Sequence, residues 1–396
     1  MAAAQRDIRI IRSSDNLTII RIKILQLSLT IRSIKQQLVS IKKGKKMSIK
    51  AYGAYSCDAP LQEMTFARRK PGLKDIQIEI MYCGVCHSDL HTVRSEWQGT
   101  LYPCVPGHEI IGRVSTVGKE VERFNIGDIV GVGCMVDSCQ SCSSCHSGDE
   151  QYCEHGFKLT YNSPCEEAPG HTLGGYSQRI VVNEKFVLKI RHSIEHLAAT
   201  APLLCAGITT YSPLRHWNAG PGKKIGIVGI GGLGHMGIKF SHALGAHTVA
   251  FTTSENKRLD AKKLGADDVI VTKNSDEATK HVGSFDFILD TAGSSHDLNY
   301  YTALLKRDGV LCLVGLPESP HPSPEVAPLI FGRKSIAGSL IGGIRETQEM
   351  LDFCADKGIT CDIELIPIQK INEAYERMLN SDVKYRFVID MASLEN

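Results

Sequence analysis

The sequence contains no long hydrophobic run and little proline. Its longest apolar stretches, such as Gly226–Ile230 and Val310–Leu316, are far shorter than the about 20 residues that a membrane-spanning helix requires, so we do not expect a membrane protein. With 15 prolines, 36 glycines and 42% hydrophobic residues in a chain of 396, the composition excludes disorder, collagen and fibrous repeats. At about 100–200 residues per domain, the length predicts two or three folded domains.

Net charge is also nearly absent, at +2, but it is unevenly distributed. Residues 1–46 carry eleven basic and two acidic side chains, whereas the other 350 residues carry 34 basic and 41 acidic ones. The main part of the chain therefore has a net charge of −7, which gives no electrostatic reason to bind nucleic acid or an anionic membrane. We accordingly predict neither nucleic acid nor a membrane as a partner.

Residues 1–46 form a basic leader with isoleucine-rich patches and no acidic residue after Asp15. The leader is not a secretory signal, because charges interrupt every apolar stretch. Three interpretations stay open: upstream sequence of a gene whose translation begins at Met47, an organellar transit peptide, or a nucleic-acid-binding arm. We expect a cytoplasmic protein in which residues 1–46 need not belong to the native chain, with organellar targeting as the alternative.

The hydrophobic pattern changes near Lys223. From Met47 to about Thr200, short alternating runs broken by glycine predict a region of small β-strands. Beyond Lys223, apolar strands alternate with helical stretches, which predicts the α/β class with a parallel sheet covered on both faces. The elements expected there are strands at Lys224–Val228, Thr248–Thr252, Asp268–Val271, Phe285–Asp290, Val310–Val314 and Tyr385–Ile389, and helices near Leu233–Leu244, Asn256–Leu264, His296–Leu305 and Ile371–Asn380.

Four of the fourteen cysteines lie within fifteen residues, in the pattern C-x2-C-x2-C-x7-C. Two-residue gaps let thiolates of one turn converge on one ion, and a fourth thiolate closes a tetrahedron with no open position. The pattern therefore predicts a structural zinc held by Cys139, Cys142, Cys145 and Cys153 in a reducing compartment. An iron–sulfur cluster and free thiols are the alternatives, although the bacterial ferredoxin pattern has its fourth cysteine after three residues and before proline.

A second group of metal-binding residue types is spread along the chain, in Cys83–His91 (C-G-V-C-H-S-D-L-H), Gly107–Glu109 and Cys205. Each is ambiguous alone, because a lone cysteine is usually a small buried hydrophobe. In this order, with the cysteine cluster and a later glycine motif, they resemble the zinc-dependent medium-chain alcohol dehydrogenases. Cys83–His91, Val132–Ser138 and Ala201–Pro213 resemble the cinnamyl alcohol dehydrogenase branch, particularly its bacterial NADP-dependent aldehyde reductases. The resemblance covers essentially the whole chain except the leader.

The resemblance implies a GroES-like, β-rich catalytic domain and a Rossmann, doubly wound, nucleotide-binding domain. It assigns residues 47–206 to the catalytic domain, residues 207–338 to NADP binding, and residues 339–396 to a return to the catalytic domain. Members of the family are mostly dimers joined through their nucleotide domains. We therefore expect a homodimer with its seam near Ser335–Leu340.

The resemblance also implies a catalytic zinc held by Cys86, His108 and Cys205, with Glu109 as a neighbouring carboxylate that can bind the metal. Two thiolates and a neutral imidazole, the established ligand set of alcohol dehydrogenases, balance the 2+ charge and leave a fourth position for a substrate oxygen. Asp89 matches the acid that orients His108.

The same comparison assigns a proton relay and a substrate pocket. Ser88 matches a hydroxyl that can donate and accept at once, and His91 matches a terminal base whose ordinary pKa of about 6.5 suits exchange near neutrality. Trp97 and Cys134 fall at positions that line the family's pocket, where a large indole would favour flat or unbranched aldehydes. The alternatives are that Ser88 and His91 are only polar turn residues and that Trp97 belongs to the core.

Gly229–Gly234 reads G-x-G-x-x-G directly after a predicted strand and before a predicted helix, which is the context that pyrophosphate binding requires. An NAD enzyme has an acid at the end of the next strand, whereas this chain has three hydroxyl residues followed by Lys257 and Arg258, which favours NADP. Glu255 weakens this argument unless it points to solvent. The predicted cofactor-binding residues are His87, Gly229, Gly231, Gly232, Leu233, Gly234, Thr252, Thr253, Ser254 and Lys257.

The sequence thus predicts a zinc-dependent, reversible reduction of aldehydes to primary alcohols by hydride from NADPH. Two zinc ions per chain and NADP(H) are the expected cofactors, and a small aldehyde or alcohol is the expected substrate. Another zinc medium-chain dehydrogenase, acting on polyols or secondary alcohols, is one alternative. A non-catalytic zinc-binding scaffold is the other.

Overall fold

The computed structural model describes residues 47–395, so the basic leader lies outside the described residues. The strands are β1 (Met47–Gly53), β2 (Gln62–Arg68), β3 (Asp75–Val85), β4 (Ile110–Val117), β5 (Ile129–Val132), β6 (Met135–Asp137), β7 (Lys158–Leu159), β8 (Arg179–Asn183), β9 (Leu188–Lys189), β10 (Lys224–Val228), β11 (His247–Thr252), β12 (Asp268–Val271), β13 (Phe285–Asp290), β14 (Leu305–Leu313), β15 (Ser335–Gly338), β16 (Ile363–Pro367) and β17 (Arg386–Asp390).

Short 3-10 turns and eleven α-helices connect these strands within residues 47–395. The helices are α1 (His87–Val93), α2 (Ser143–Ser147), α3 (Leu197–Thr200), α4 (Ala206–His216), α5 (Gly234–Ala243), α6 (Arg258–Lys263), α7 (Ser275–Thr279), α8 (Leu298–Leu304), α9 (Val326–Gly332), α10 (Ile344–Lys357) and α11 (Ile371–Leu379). No single helix in this part of the chain is long and apolar enough to cross a membrane.

The second half of the chain forms a six-stranded parallel sheet in the order β12-β11-β10-β13-β14-β15. Its inner strands are buried along most of their length, because their apolar side chains are covered on both faces. This is the predicted doubly wound sheet, and the prediction is confirmed. The strand order reverses between β10 and β13, where the carboxyl ends of the strands open a crevice.

The first half of the chain and the C-terminal strands β16 and β17 form a mostly antiparallel sheet in the order β16-β17-β3-β4-β5-β9, with β8 also paired to β3. The C-terminal strand β17 runs antiparallel to β3 and pairs Ile389 with Cys83. One hydrophobic core extends beneath both sheets, and a second cluster around Phe251 and Phe285 packs α8 onto the parallel sheet. The tail therefore returns to the strand that leads into the predicted metal-binding motif.

The structure differs from the sequence prediction at two places. The region from Met47 to Thr200, predicted to be all β, contains the short helices α1, α2 and α3, of which α1 begins immediately after Cys86. The helix predicted at His296–Leu305 begins only after Asp297, whose side chain accepts a hydrogen bond from the amide of Asn299 at 2.9 Å. Strand β14 then starts five residues early, because fully buried Leu305 pairs with Phe285.

Candidate active site

The turn from β3 into α1 positions the first predicted metal ligand. Cys86 is the extended residue that caps α1, and its amide donates to the Asp89 carboxylate at 2.9 Å. The same carboxylate accepts from the amide of Gly107 at 3.0 Å and from Nδ1 of His108 at 3.1 Å. Fully buried Asp89 thus fixes both segments and leaves Nε2 of His108 free to bind a metal.

Four buried donors converge beyond this turn: Cys86, His108, Glu109 and Cys205, with ligand atoms within 4.8 Å of one another. The two thiol sulfurs are 4.0 Å apart. In a tetrahedron with zinc–sulfur bonds of about 2.3 Å, two sulfurs lie about 3.8 Å apart, so the spacing fits zinc. Oε2 of Glu109 is buried without a hydrogen-bond partner among residues 47–395, which also suits a nearby cation.

Neighbouring groups shift the pKa values of this cluster. A hydrogen bond with Cys205 and the charge of Arg386 hold the pKa of Cys86 well below its ordinary value. Hydrogen bonds with Cys134 and Cys86 raise the pKa of Cys205 well above the ordinary value, and burial does the same for Glu109. Binding of a divalent cation would displace any thiol proton that remains on the pair.

The four clustered cysteines also meet in space, in a lobe that contains α2. The sulfurs of Cys139 and Cys145 are 3.9 Å apart, as are those of Cys142 and Cys153. Both distances are close to the about 3.8 Å edge of a tetrahedral zinc–thiolate site. Hydrogen bonds from the amide and hydroxyl of Ser141 lower the pKa of Cys139 to about 5, which favours the thiolate.

The glycine motif occupies the turn between β10 and α5. Gly229 has a φ of +88°, and a Cβ on Gly234 would lie 1.9 Å from the Gly229 carbonyl oxygen, so neither position accepts a side chain without strain. Nothing lies within 4 Å of a Cβ built on Gly231, which leaves room for a ligand to approach the backbone. The turn thus has the shape and the free helix N-terminus that a pyrophosphate requires.

Cys86 of the metal cluster and the glycine turn line one cleft of about 730 Å³. Such a volume is typical of small-molecule and cofactor sites. Among its lining residues are thirteen predicted site residues: Cys86, His87, Ser88, His91, Trp97, Gly229, Gly231, Gly232, Leu233, Gly234, Thr252, Thr253 and Lys257.

Comparison with known proteins gives consistent matches. Residues 72–192 match the alcohol dehydrogenase GroES-like domain, and residues 232–356 match the zinc-binding dehydrogenase family. The chain is 66% identical over 348 residues to aldehyde reductase YahK of Escherichia coli K12, covering 88% of this chain and 99% of that protein. It is 51% identical over 351 residues to NADP-dependent alcohol dehydrogenase C 1 of Mycolicibacterium smegmatis, with the same coverage of each. The CAD from Helicobacter pylori, solved with NADP(H), superposes with a TM-score of 0.81 at 40% identity, covering 88% of this chain and 99% of that one.

The chain belongs to the zinc-dependent medium-chain alcohol dehydrogenases. It lies in their cinnamyl alcohol dehydrogenase-like branch, as the motifs predicted. The GroES-like and Rossmann folds expected for this dehydrogenase are confirmed. Because its relatives are named as enzymes, the alternative of a non-catalytic scaffold is wrong.

At the far end of the dehydrogenase's cleft, the two predicted cations differ. Nζ of Lys257 donates to the carbonyl of Ile230 at 3.0 Å and faces the cleft. Arg258 instead binds the carboxylates of Glu255 and Glu277. The expectation that Arg258 helps to hold a 2′-phosphate is therefore wrong, because its guanidinium is occupied by these acids. The ion pair with Arg258 also balances the negative charge of Glu255, the residue that weakened the sequence argument for NADP.

Hydroxyl groups complete this end of the cleft. Thr252 is buried at the end of β11, and its Oγ1 accepts from the amide of Ser254 at 3.1 Å. Thr252 and Thr253 line the cleft, whereas Ser254 does not. The assignment of Ser254 to cofactor binding stays a prediction.

The relay residues lie on α1, at the mouth of the metal site. Oγ of Ser88 is 3.6 Å from the Cys86 sulfur. Nδ1 of His91 contacts the Glu96 carboxylate, and its ring centroid is 5.0 Å from that of Trp97. The Trp97 side chain lines the cleft and is 38% exposed, so its interpretation as a core residue is wrong.

Cys134 was predicted to line the substrate pocket, but it is not among the residues of the cleft. Its thiol donates to the carbonyl of Leu204 at 3.8 Å and lines a separate small cavity behind Cys205. The thiol also hydrogen-bonds with Cys205, so Cys134 lies beside the metal donors, and its role in lining the substrate pocket stays a prediction.

Arg386 is a site residue that sequence reasoning missed. It is buried at the start of β17, binds the Glu109 carboxylate, and lies 3.8 Å from the Cys86 sulfur. It also lines the cleft beside Gly232. An arginine directly before the apolar run Phe387–Ile389 was the available signal, since a buried cation requires anionic neighbours.

Proposed function

We propose that this dehydrogenase catalyses the reversible reduction of aldehydes to primary alcohols with NADPH. One observation carries the proposal: Cys86, which belongs to the buried donor cluster with His108 and Cys205, lines the same cleft as the glycine turn. A metal-bound substrate and a dinucleotide can therefore meet in one site. The names of the relatives, an aldehyde reductase and an NADP-dependent alcohol dehydrogenase, support the substrate class and the cofactor.

In this proposal Cys86, His108 and Cys205 would hold the catalytic zinc, and Glu109 would be a neighbouring carboxylate that can also bind the metal. When bound, zinc supplies Lewis-acid polarisation of a carbonyl and NADPH supplies hydride. Asp89 keeps the proton on Nδ1 of His108, so Nε2 is the nitrogen that would bind the metal. Arg386 neutralises part of the negative charge that two thiolates and a carboxylate bring into a buried site.

Ser88 and His91 supply the proton that the alcohol product requires. Ser88 lies beside the metal donors, and its hydroxyl can donate one proton while accepting another. Glu96 occupies Nδ1 of His91, so Nε2 is the nitrogen left for exchange. The His91 side chain is 13% exposed, so the ring is in contact with solvent. The alternative, that Ser88 and His91 are only polar turn residues, does not account for their position together in the cleft wall.

Selectivity for NADP(H) is proposed to reside in Lys257 and the hydroxyl groups of residues 252–254. The half-buried Lys257 faces the cleft and forms no salt bridge among residues 47–395. A 2′-phosphate would supply the anion that this ammonium lacks, whereas the ribose of NADH would not.

A second, structural zinc is proposed at Cys139, Cys142, Cys145 and Cys153, supported by their sulfur–sulfur distances. We also propose a homodimer in which β15, the edge strand of the parallel sheet, faces its symmetry mate. The exposed apolar residues Phe331 and Ile330 on the adjacent α9 favour a covered surface there. The domain boundaries at residues 206 and 338 and a cytoplasmic location remain predictions.

A substrate panel tests the function. Aliphatic, benzylic and cinnamic aldehydes are reduced with NADPH and, in parallel, with NADH, while polyols and secondary alcohols are offered with NADP in the reverse direction. Turnover of several aldehydes with NADPH is expected. Turnover confined to polyols or secondary alcohols would favour the alternative dehydrogenase class.

A further inference from the structure

A fifth metal-binding side chain lies beside the four-cysteine lobe. A ring nitrogen of His155 and the sulfurs of Cys139, Cys142 and Cys153 all lie within 4.8 Å of one another. Cys145 is not a member of this second group, although its sulfur is 3.9 Å from that of Cys139. The lobe therefore contains two overlapping sets of four donors that share three thiols.

The two interchangeable donors reach the lobe from different elements. Cys145 lies within α2, whereas His155 lies in the turn after Cys153, closed by a hydrogen bond from the Gly156 amide to the Cys153 carbonyl at 2.9 Å. The histidine is exposed at the lobe's surface. One donor can therefore replace the other without displacing Cys139 or Cys142.

Both donor sets are chemically suited to zinc. Four thiolates, and three thiolates with one imidazole, are both common structural zinc sites with tetrahedral geometry. A neutral imidazole in place of one thiolate also lowers the negative charge of the filled site by one. Neither set requires a water molecule as a ligand, so both close the ion off from substrate.

We propose that His155 is a reserve ligand of the structural zinc. It takes the place of Cys145 when the Cys145 thiolate dissociates from the ion or is removed by substitution. This inference rests on the structural zinc proposed above. The lobe holds the segment between β15 and α10: the Tyr152 hydroxyl accepts from the Leu340 amide at 3.1 Å, and Glu150 accepts from the Ile344 amide at 3.0 Å. Retaining zinc with His155 would keep this contact intact.

Zinc content of the purified full-length protein tests the inference. Cys145→Ala should contain as much zinc per chain as the wild type, whereas Cys145→Ala/His155→Gln should contain one ion fewer. Cys142→Ala should also lose one ion even with His155 present, because Cys142 belongs to both donor sets. Equal loss in the Cys145→Ala single and double variants would overturn the reserve-ligand role. A wild type with one zinc would instead refute the structural zinc itself.

A second measurement leaves all four cysteines in place. A reserve ligand captures the ion when one thiolate dissociates, so zinc release to a competing chelator should be about tenfold faster in His155→Gln than in the wild type. His146→Gln is the matched control, because His146 is an exposed histidine of α2 outside both donor sets. Equal release rates in wild type and both variants would contradict the inference.

Discussion

Replacing Lys257 by glutamine is expected to reduce the preference for NADPH over NADH. Nζ of Lys257 faces the cleft, and its one hydrogen bond given by the structure goes to the Ile230 carbonyl. Glutamine retains an N–H donor for that carbonyl but removes the positive charge. The glycine turn should therefore keep its shape while the 2′-phosphate loses its cation.

The size of the effect follows from the interaction that is lost. A hydrogen bond to a charged group contributes about 1.5–3 kcal/mol, which corresponds to about 10- to 150-fold in affinity. The kcat/KM for NADPH should fall within this range, whereas that for NADH should change little, because the ribose hydroxyl needs no cation. The ratio of the two values is therefore the relevant readout.

Steady-state kinetics with both cofactors and one aldehyde measures this ratio. Arg258→Gln is the matched control, since Arg258 follows Lys257 directly but is held by Glu255 and Glu277. Its ratio should stay near that of the wild type. An unchanged ratio in Lys257→Gln, or a larger shift in Arg258→Gln, would refute the assignment of the 2′-phosphate to Lys257.

Three further changes probe the metal site and the fold. Ser88→Ala should lower kcat much more than His91→Gln, with a loss of about 10²–10⁴-fold typical of proton transfer, because solvent can replace His91 but not the inner hydroxyl. Asp89→Asn should weaken zinc binding about 10- to 100-fold in chelator competition, because it loosens His108. Burial lowers the pKa of His235 to about 3, so the folded protein keeps this ring neutral. The stability that the neutral His235 ring contributes to the unfolding free energy is fully present above about pH 6.5. Below that pH the unfolding free energy should fall by about 1.4 kcal/mol per pH unit, as measured by urea unfolding.

Each of these outcomes has a control. Ser88→Thr retains the hydroxyl and should retain most of the rate, so a similar loss in Thr and Ala variants would point to packing instead of proton transfer. Unchanged zinc affinity in Asp89→Asn would contradict its role in orienting the imidazole. His235 stacks on Tyr385 with their ring centroids 5.0 Å apart, and His235→Phe keeps an aromatic ring there. This variant should lack the decrease in unfolding free energy that His235 causes at acidic pH. Parallel pH dependence in wild type and variant would contradict the buried neutral histidine.

Local sequence patterns determined much of the fold correctly. The parallel strands at Lys224–Val228, Asp268–Val271 and Phe285–Asp290 have the expected bounds, because continuous apolar runs between turn residues require burial on both faces. The helix before β14 was less predictable, since its start depends on the Asp297 cap and its end on the pairing of Leu305. Such boundaries are decided by single contacts.

The candidate site was predictable only where its residues are close in sequence or match a family. Spacing alone indicated the four-cysteine lobe. The approach of Cys86 to Cys205, 119 positions apart, is set by the packing of both sheets and was inferred from resemblance. Side-chain direction was beyond either argument, which is why Arg258 was misassigned and Arg386 was missed.

The central claim is that zinc at Cys86, His108 and Cys205 is required for hydride transfer from NADPH to an aldehyde. Single turnover of an aldehyde with NADPH deuterated at C4 of the nicotinamide, followed by NMR of the alcohol, tests it directly. Zinc-loaded protein should place one deuterium on the carbinol carbon. Protein freed of metal, with an unchanged circular dichroism spectrum, should transfer none until zinc is restored. Undiminished transfer by metal-free protein would contradict the claim.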